Sequence, residues 1–188
     1  PTMMESFISF FTKKNQIVLD PFCGIGSTLV GCDRTERKGI GIELNEKYAK
    51  ISRLRTKQKV IIGDSRKIKE IWKENGLPKI NFCISSPPYW DILNRSTGKF
   101  KEIREKNGFD INYSKKDKDL GNISNYKIFL DEICKIYEDT YDLMEEGAYI
   151  CIIVKNIKKK GKLYPLAWNI AERLSNKFAL KDERIWCQ

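Results

Sequence analysis

No histidine occurs among the 188 residues. A histidine general base is therefore excluded, and a zinc site would lack its commonest nitrogen ligand. No Cys-x-x-Cys pair occurs either. The six cysteines, Cys23, Cys32, Cys83, Cys134, Cys151 and Cys187, lie scattered and mostly inside apolar runs. They read as reduced, buried small hydrophobes of a cytoplasmic protein. Long hydrophobic stretches are missing: the longest, "AYICIIV" at Ala148–Val154, is far too short to cross a bilayer. No basic-then-apolar leader opens the chain. Repeats and low-complexity tracts are absent. The chain starts at Pro1 and stops at Gln188 inside an expected strand. A fragment, or a polypeptide completed by another one, is the expectation.

Acidic charge is in short supply. Lys and Arg total 35 against 25 Asp and Glu, a formal charge of +10 and a pI near 9.3. A polyanionic partner, most simply nucleic acid, would suit that surface. A composition generally rich in lysine, isoleucine and asparagine explains it equally well. Hydrophobic residues make up 41%, enough for one domain with a real core.

Elements alternate as in a parallel sheet with crossover helices, so an α/β chain with helices on both faces is expected. A helix over Met3–Thr12 precedes a buried strand, "QIVLD", ending at Asp20. A glycine loop and a helix from about Thr28 come next. "GIGIEL" is a second strand with Glu43 at its tip, and a helix covers about Glu46–Thr56. "KVIIGD" is a third, ending at Asp64, before a helix at about Lys67–Glu74. "INFCIS" is the fourth and should lie beside the first. Residues Asn94 to about Lys118 interrupt the rhythm, with eight Lys/Arg against four Asp/Glu, a balance of +4. A connection of that length is usually functional or disordered. A helix over about Ser124–Met144 with Ser124 or Asn122 as N-cap, the strand "AYICIIV", a lysine-rich loop "KNIKKKGK", a helix over about Tyr164–Ser175 and a last strand from "FALKDERIWCQ" complete the pattern. One catalytic domain over 1–188, incomplete at both ends and carrying the basic insert, is expected.

Three strand tips carry acids. In "VLDPFCGIGST" an acid ends a strand, then a Gly-x-Gly turn leads into a helix. Glycines let a backbone approach a ligand, and a helix start offers free N–H groups. The third spaced glycine of a dinucleotide fingerprint is missing. Glu43 can accept from a ribose diol, or can cap the next helix. Asn45 is the better cap, which frees Glu43. Asp64 can accept from an adenine amino group with Ile62 against the ring, or can cap the helix after it. Asp20, Glu43 and Asp64 together line the carboxyl edge of the sheet, where α/β folds bind ligands.

At the fourth tip stands "SSPPYW". Proline cannot donate to a strand ladder, so the strand stops there, and Tyr89 and Trp90 come at once. "LDPFCGIGST" with a downstream "SPPYW" resembles the S-adenosylmethionine-dependent amino-methyltransferases that act on DNA at cytosine N4 or adenine N6. The resemblance covers most of the chain. "TMMESFISFFT" resembles that family's segment against the methionine end of the cofactor. "DLGNISNYKIFL" and "KLYPLA" resemble a subgroup of small archaeal and bacterial methylases.

The resemblance implies a Rossmann-like S-adenosylmethionine-dependent fold and a site-specific methylase of restriction-modification type or an orphan relative. Cofactor binding would fall to Asp20, Pro21, Phe22, Gly24, Gly26, Ser27, Thr28, Glu43, Leu44, Asp64 and Ser65. Ser86, Pro87, Pro88 and Tyr89 would be catalytic. The implied partner is double-stranded DNA with a flipped target base, without membrane or metal. A homodimer or a second subunit would supply target recognition. The chemistry agrees. The lone pair of an exocyclic amine is spread into the ring. Acceptors on its hydrogens, here the Ser86 hydroxyl and the Pro87 carbonyl, would draw it back onto nitrogen. Tyr89 could stack on a base lifted from the duplex, with Trp90 as a second wall or as core. A cytosine-C5 enzyme would need a Pro-Cys nucleophile, and none occurs. Serine before the prolines leans to cytosine N4.

The basic insert contributes Arg95, Lys99, Lys101, Arg104, Lys106, Lys115, Lys116 and Lys118, with Phe100, Phe109 and Tyr113 between them. The later loop adds Lys155, Lys158, Lys159, Lys160 and Lys162. Of these, Arg95, Lys158, Lys159 and Lys160 join Trp90 as candidate substrate contacts, since phosphate-binding cations with interleaved aromatics suit DNA. A solvated loop is the plainer alternative for any one lysine. Two other functions remain in view. One is an RNA methyltransferase acting on a guanine amino group of tRNA. The other is a non-catalytic subunit that keeps the fold and binds nucleic acid.

Overall fold

The computed structural model describes residues 2–90, 119–159 and 161–185. Five strands form one sheet: β1 (Ile17–Asp20), β2 (Lys38–Glu43), β3 (Lys59–Ile62), β4 (Ile80–Ser85) and β5 (Met144–Ile152). Their order is β3-β2-β1-β4-β5, and every neighbouring pair is parallel. The expected α/β architecture, Rossmann-like with helices on both faces, is the one found. β1 and β4 are neighbours, with Val18 opposite Phe82 and Leu19 opposite Cys83. A central parallel strand is covered on both faces, which is why "IVLD" is apolar without alternation.

Among the described residues six helices flank the sheet: α1 (Met3–Phe11), α2 (Ser27–Arg34), α3 (Glu46–Arg55), α4 (Ile68–Glu74), α5 (Tyr126–Tyr141) and α6 (Leu166–Leu174). Adjacent strand residues point to opposite faces. Val18, Phe82 and Ile84 accordingly pack with Ile8 of α1 and Cys32 of α2, whereas Leu19, Ile40, Ile42 and Cys83 pack with Ile68 and Trp72 of α4. α1 starts on a capping box: the Thr2 hydroxyl accepts from the Glu5 N–H at 3.3 Å, and the Thr2 N–H donates to the Glu5 carboxylate at 3.0 Å. Its last ring, Phe11, stacks on Phe82 at 5.0 Å. Gly41 of β2 lets the glycine loop lie flat on the sheet, since a Cβ there would come within 2.7 Å of the Cys23 sulfur.

The structure departs from expectation in four places. The N-cap of α5 is Asn125, whose side chain accepts from the N–H groups of Lys127 and Ile128, rather than Ser124 or Asn122. β5 starts four residues early, at Met144. Its register jumps from Met144 opposite Ile80 to Tyr149 opposite Phe82, and Gly147 at φ +75° sits in the bulge that absorbs the excess. The lysine-rich segment is no loop. It forms an antiparallel hairpin, β6 (Ile157–Lys159) with β7 (Lys162–Tyr164), because Ile157 and Tyr164 turn inward onto the core between the charged residues. The last expected strand does not form among residues 178–185. Its charges remain in solvent, Arg184 pairs locally with Asp182 at 2.9 Å, and only Phe178 packs inward.

Candidate active site

The glycine loop is tied down at both ends by one carboxylate. Asp20 ends β1 and is 4% exposed. Its Oδ1 accepts from the Phe22 N–H at 3.0 Å and its Oδ2 from the Thr28 hydroxyl at 2.6 Å, so the loop closes around it. Burial pushes the Asp20 carboxyl up to about 6, against the pull of those two hydrogen bonds and with a further push from the Glu43 charge. Gly26, at φ +83°, turns the chain into α2 and is its N-cap without any side-chain cap. A Cβ there would come 2.2 Å from the hydroxyl oxygen of buried Ser52. Only glycine fits, and the first N–H groups of α2 are left for another acceptor.

Glu43 ties this loop to the next. Its Oε2 accepts from the Gly24 N–H and its Oε1 from the Asn45 N–H, both at 2.8 Å. Burial raises the Glu43 carboxyl and the two N–H donors oppose the rise. Asn45 caps α3 through the Lys47 N–H at 3.0 Å, as expected. Leu44 is half-buried beside it. The Ser65 hydroxyl donates to the Pro21 carbonyl, which binds the third tip to the first. Asp64 is more occupied than the sequence implied. It caps a single helical turn through the Arg66 N–H at 3.1 Å, and the Arg66 guanidinium grips both its oxygens at 2.7 to 3.1 Å. Ile62, at the tip of β3, remains 39% exposed and offers an apolar surface on that edge.

The proline turn comes after β4. Ser85 is fully buried, and its carbonyl accepts from the Ile153 N–H at 2.8 Å. The Tyr137 hydroxyl donates to Ser85 Oγ at 3.4 Å, and the Tyr137 ring meets Phe22 edge-on at 6.4 Å. One buried tyrosine of α5 therefore touches both the turn and the glycine loop. Ser86 is exposed, and its hydroxyl has no partner among the described residues. Pro87 is buried; Pro88 and Tyr89 are half-buried.

Trp90 is core rather than a second wall. It is 3% exposed, donates from Nε1 to the Ser124 carbonyl at 3.2 Å, and packs against Tyr126 and Tyr164 at 5.0 and 4.8 Å. Lys159 lays its ammonium over the Trp90 ring at 3.5 Å, so it clamps the hairpin to the turn. Lys158 points outward from β6, exposed. Arg95 and Lys160 lie outside the described residues, as does the rest of the Asn94–Lys118 insert.

The sheet edge thus brings together Asp20, Pro21, Phe22, Gly24, Gly26, Ser27, Thr28, Glu43, Leu44, Asp64, Ser65 and the Ser86–Tyr89 turn. Sequence reasoning missed Tyr137 and Ser52. Both sit on helix faces that read as ordinary packing, and the only available signal was a polar group at a buried helical position. Among the described residues no three Cys, Asp or Glu side chains group as metal ligands, and no helix is long and apolar enough to cross a membrane.

Comparison with known proteins bears on the same segments. Residues 1–54 match the family described as DNA methylase, N6/N4 type. A tRNA (guanine(10)-N2)-dimethyltransferase of Methanocaldococcus jannaschii is 31% identical over 110 residues, covering 50% of this chain and 28% of that protein. The type II methyltransferase M2.LlaDCHI of Lactococcus lactis subsp. cremoris is 43% identical over 53 residues, 28% of this chain and 20% of that protein. The chain matches less than a third of the length of either relative. Among solved structures, a methyltransferase from Pyrococcus furiosus superposes with a TM-score of 0.56 at 14% identity, covering 97% of this chain and 75% of that one. That likeness supports the fold. The glycine loop, the first acidic tips and α1 all fall within the segment that is similar to the N4/N6 DNA methylases, or border it.

Proposed function

We propose that the chain transfers a methyl group from S-adenosylmethionine to an exocyclic amino group of a base in double-stranded DNA, with cytosine N4 favoured over adenine N6. The observation that carries the proposal is the adjacency of β1 and β4. It sets the glycine loop and the Ser86–Tyr89 turn side by side on one sheet edge.

The residues on that edge fit the cofactor. A buried carboxylate, an uncapped helix start at Gly26, a carboxylate at the tip of β2 and an exposed isoleucine at the tip of β3 offer, in order, partners for an ammonium, a carboxylate, a ribose diol and an adenine ring. Asp20, Pro21, Phe22, Gly24, Gly26, Ser27 and Thr28 would hold the amino-acid end, and Glu43, Leu44, Asp64 and Ser65 the nucleoside. Each oxygen of Glu43 keeps a second acceptor position beyond the N–H it already takes. S-adenosylmethionine supplies an activated methyl when bound.

The chain's own contribution is positioning. The Ser86 hydroxyl and the Pro87 carbonyl accept from the target amine and localise its lone pair. Pro87 and Pro88 fix the direction of that carbonyl. Tyr89 offers its ring to the displaced base. Lys158 on the hairpin, with Arg95 and Lys160, contacts phosphates. Serine before the prolines supports cytosine N4. The similarity to a type II methyltransferase supports a restriction-modification setting. One domain over the whole chain, a cytoplasmic location and a second copy or subunit that completes target recognition belong to the same proposal.

A second reading has a specific observation behind it. Similarity to a tRNA guanine-N2 methyltransferase extends over 110 residues, and a guanine amino group presents the same chemistry to the turn.

Methyl transfer from labelled S-adenosylmethionine to duplex DNA and to bulk tRNA, then digestion to nucleosides, tests the proposal. Label in N4-methylcytosine is expected, with loss in both Ser86→Ala and Tyr89→Ala. Label in N6-methyladenine would keep the mechanism and reverse the base preference. Label in tRNA alone would overturn the DNA assignment.

A further inference from the structure

Three lysines near the turn place their ammonium groups over aromatic rings. Lys159 lies over Trp90 at 3.5 Å, Lys162 over Tyr164 at 5.2 Å and Lys155 over Tyr89 at 5.1 Å. The first two rings belong to the cluster around α5 and α6, so those contacts fasten the hairpin. The third differs. Tyr89 is the half-buried ring of the proline turn, and Lys155 is exposed. Lys155 comes directly after β5, three residues past Ile152, which lies opposite Ser85. It therefore emerges beside Ser86 and Tyr89, on the same edge as the glycine loop. Among the described residues no carboxylate pairs with it.

We infer that Lys155 is a substrate-positioning residue that binds a phosphate flanking the target nucleotide. The inference rests on the function proposed above. A cation on one face of Tyr89 leaves the other face for the base. A flipped nucleotide carries its phosphates within a lysine's reach of its own ring. The ammonium has three donors and a flexible stem, so it can pass from the ring to a phosphate oxygen as the base arrives. It sets the base against Tyr89 and takes no part in chemistry on the amine. Lys158, on the hairpin, meets phosphates further along the strand. Lys155 differs in acting on the one nucleotide that leaves the stack.

The test uses cognate duplex with a single methylphosphonate, which removes one backbone charge, at either phosphate flanking the target base. Lys155→Gln is expected to raise KM for unmodified duplex about tenfold with kcat within about twofold, and to reduce the slope of log KM against log salt by about one. Lys155→Arg should recover most of the loss. One of the two methylphosphonates should cost the wild-type protein a similar factor and cost Lys155→Gln nothing more. Two outcomes would overturn the inference alone. In one, Lys155→Gln suffers the full methylphosphonate penalty again. In the other, its kcat falls with KM unchanged, and the lysine serves only to orient Tyr89. If the wild-type protein methylates no duplex at all, the DNA reading falls and this inference falls with it.

Discussion

Replacing Asp20 by asparagine separates the cost of a buried charge from the geometry that the side chain holds. In the folded chain the carboxyl sits at about 6, against an ordinary value of 3.8. The folded state thus keeps a proton that the unfolded chain has released, so stability falls as pH rises from about 4 through about 6. The cost is fully present above that window. Two pKa units correspond to ~3 kcal/mol. Asparagine can keep both local bonds. Its carbonyl accepts from the Phe22 N–H, and its amide donates to the Thr28 hydroxyl, which reverses its role. Urea unfolding of Asp20→Asn and wild type at pH 4 and at pH 7 gives the stability difference between them. Between those pH values it should grow by ~2 kcal/mol in favour of the substitution, since part of the cost is already present at pH 4. A difference independent of pH, or an Asp20→Asn protein less stable at pH 7, would refute the reasoning. The same charge should serve a cationic ligand. S-adenosylmethionine affinity, measured by calorimetry, should rise with pH through about 6 and then level off. Asp20→Asn should bind more weakly and without that pH dependence.

Gly26→Ala should lose cofactor binding and ~1–2 kcal/mol of stability from the left-handed backbone alone. Adding Ser52→Gly should relieve the 2.2 Å contact and nothing else, so full recovery in thermal melts would count against the backbone argument. Trp90→Ala should destabilise by ~3–5 kcal/mol, whereas Tyr89→Ala should abolish methyl transfer with a far smaller loss; equal melting shifts would contradict the deeper burial of Trp90. Tyr137→Phe removes one hydrogen bond to Ser85 and should cost ~1 kcal/mol, with a fall in kcat at unchanged KM for S-adenosylmethionine. An unaltered kcat would leave Tyr137 as simple packing.

The strand tips were the most legible part of the chain. Each buried strand reads as a short apolar run ending in a charged or proline-bound residue, and parallel connection forces those ends onto one edge. That logic needs no tertiary information, which is why Asp20, Glu43, Asp64 and Ser86 could be named together. Two kinds of feature escaped it. The run Lys158, Lys159, Lys160 and Lys162 hid the hairpin, because Ile157 and Tyr164 are, among the described residues, the only inward apolar ones strong enough to mark a strand. Asp64 and Trp90 illustrate the second kind. A residue's type tells what it can bind, but its competitor is set by the fold. Arg66 lies two residues from Asp64 and occupies the carboxylate, and α5 brings Tyr126 against Trp90 from 36 positions away.

The different burial of Tyr89 and Trp90 determines how the turn can meet a ligand. Two adjacent aromatics after a strand alternate in direction, so one must face the core if the other faces the ligand edge. The core-facing one is held by a backbone hydrogen bond, two rings and a lysine ammonium. A turn fixed that firmly on one side can present Ser86 and Tyr89 on the other without spending binding energy to order them. The acidic tips are arranged the other way. Asp20 and Glu43 are both raised by burial, so the folded chain bears a desolvation cost at neutral pH that its own N–H groups offset only in part. A bound ammonium or hydroxyl donor would complete that offset. The rigid turn and the desolvated carboxylates therefore predict different responses to ligand: cofactor should stabilise the chain most above pH 6, while duplex should leave the Tyr89–Trp90 turn where it already stands.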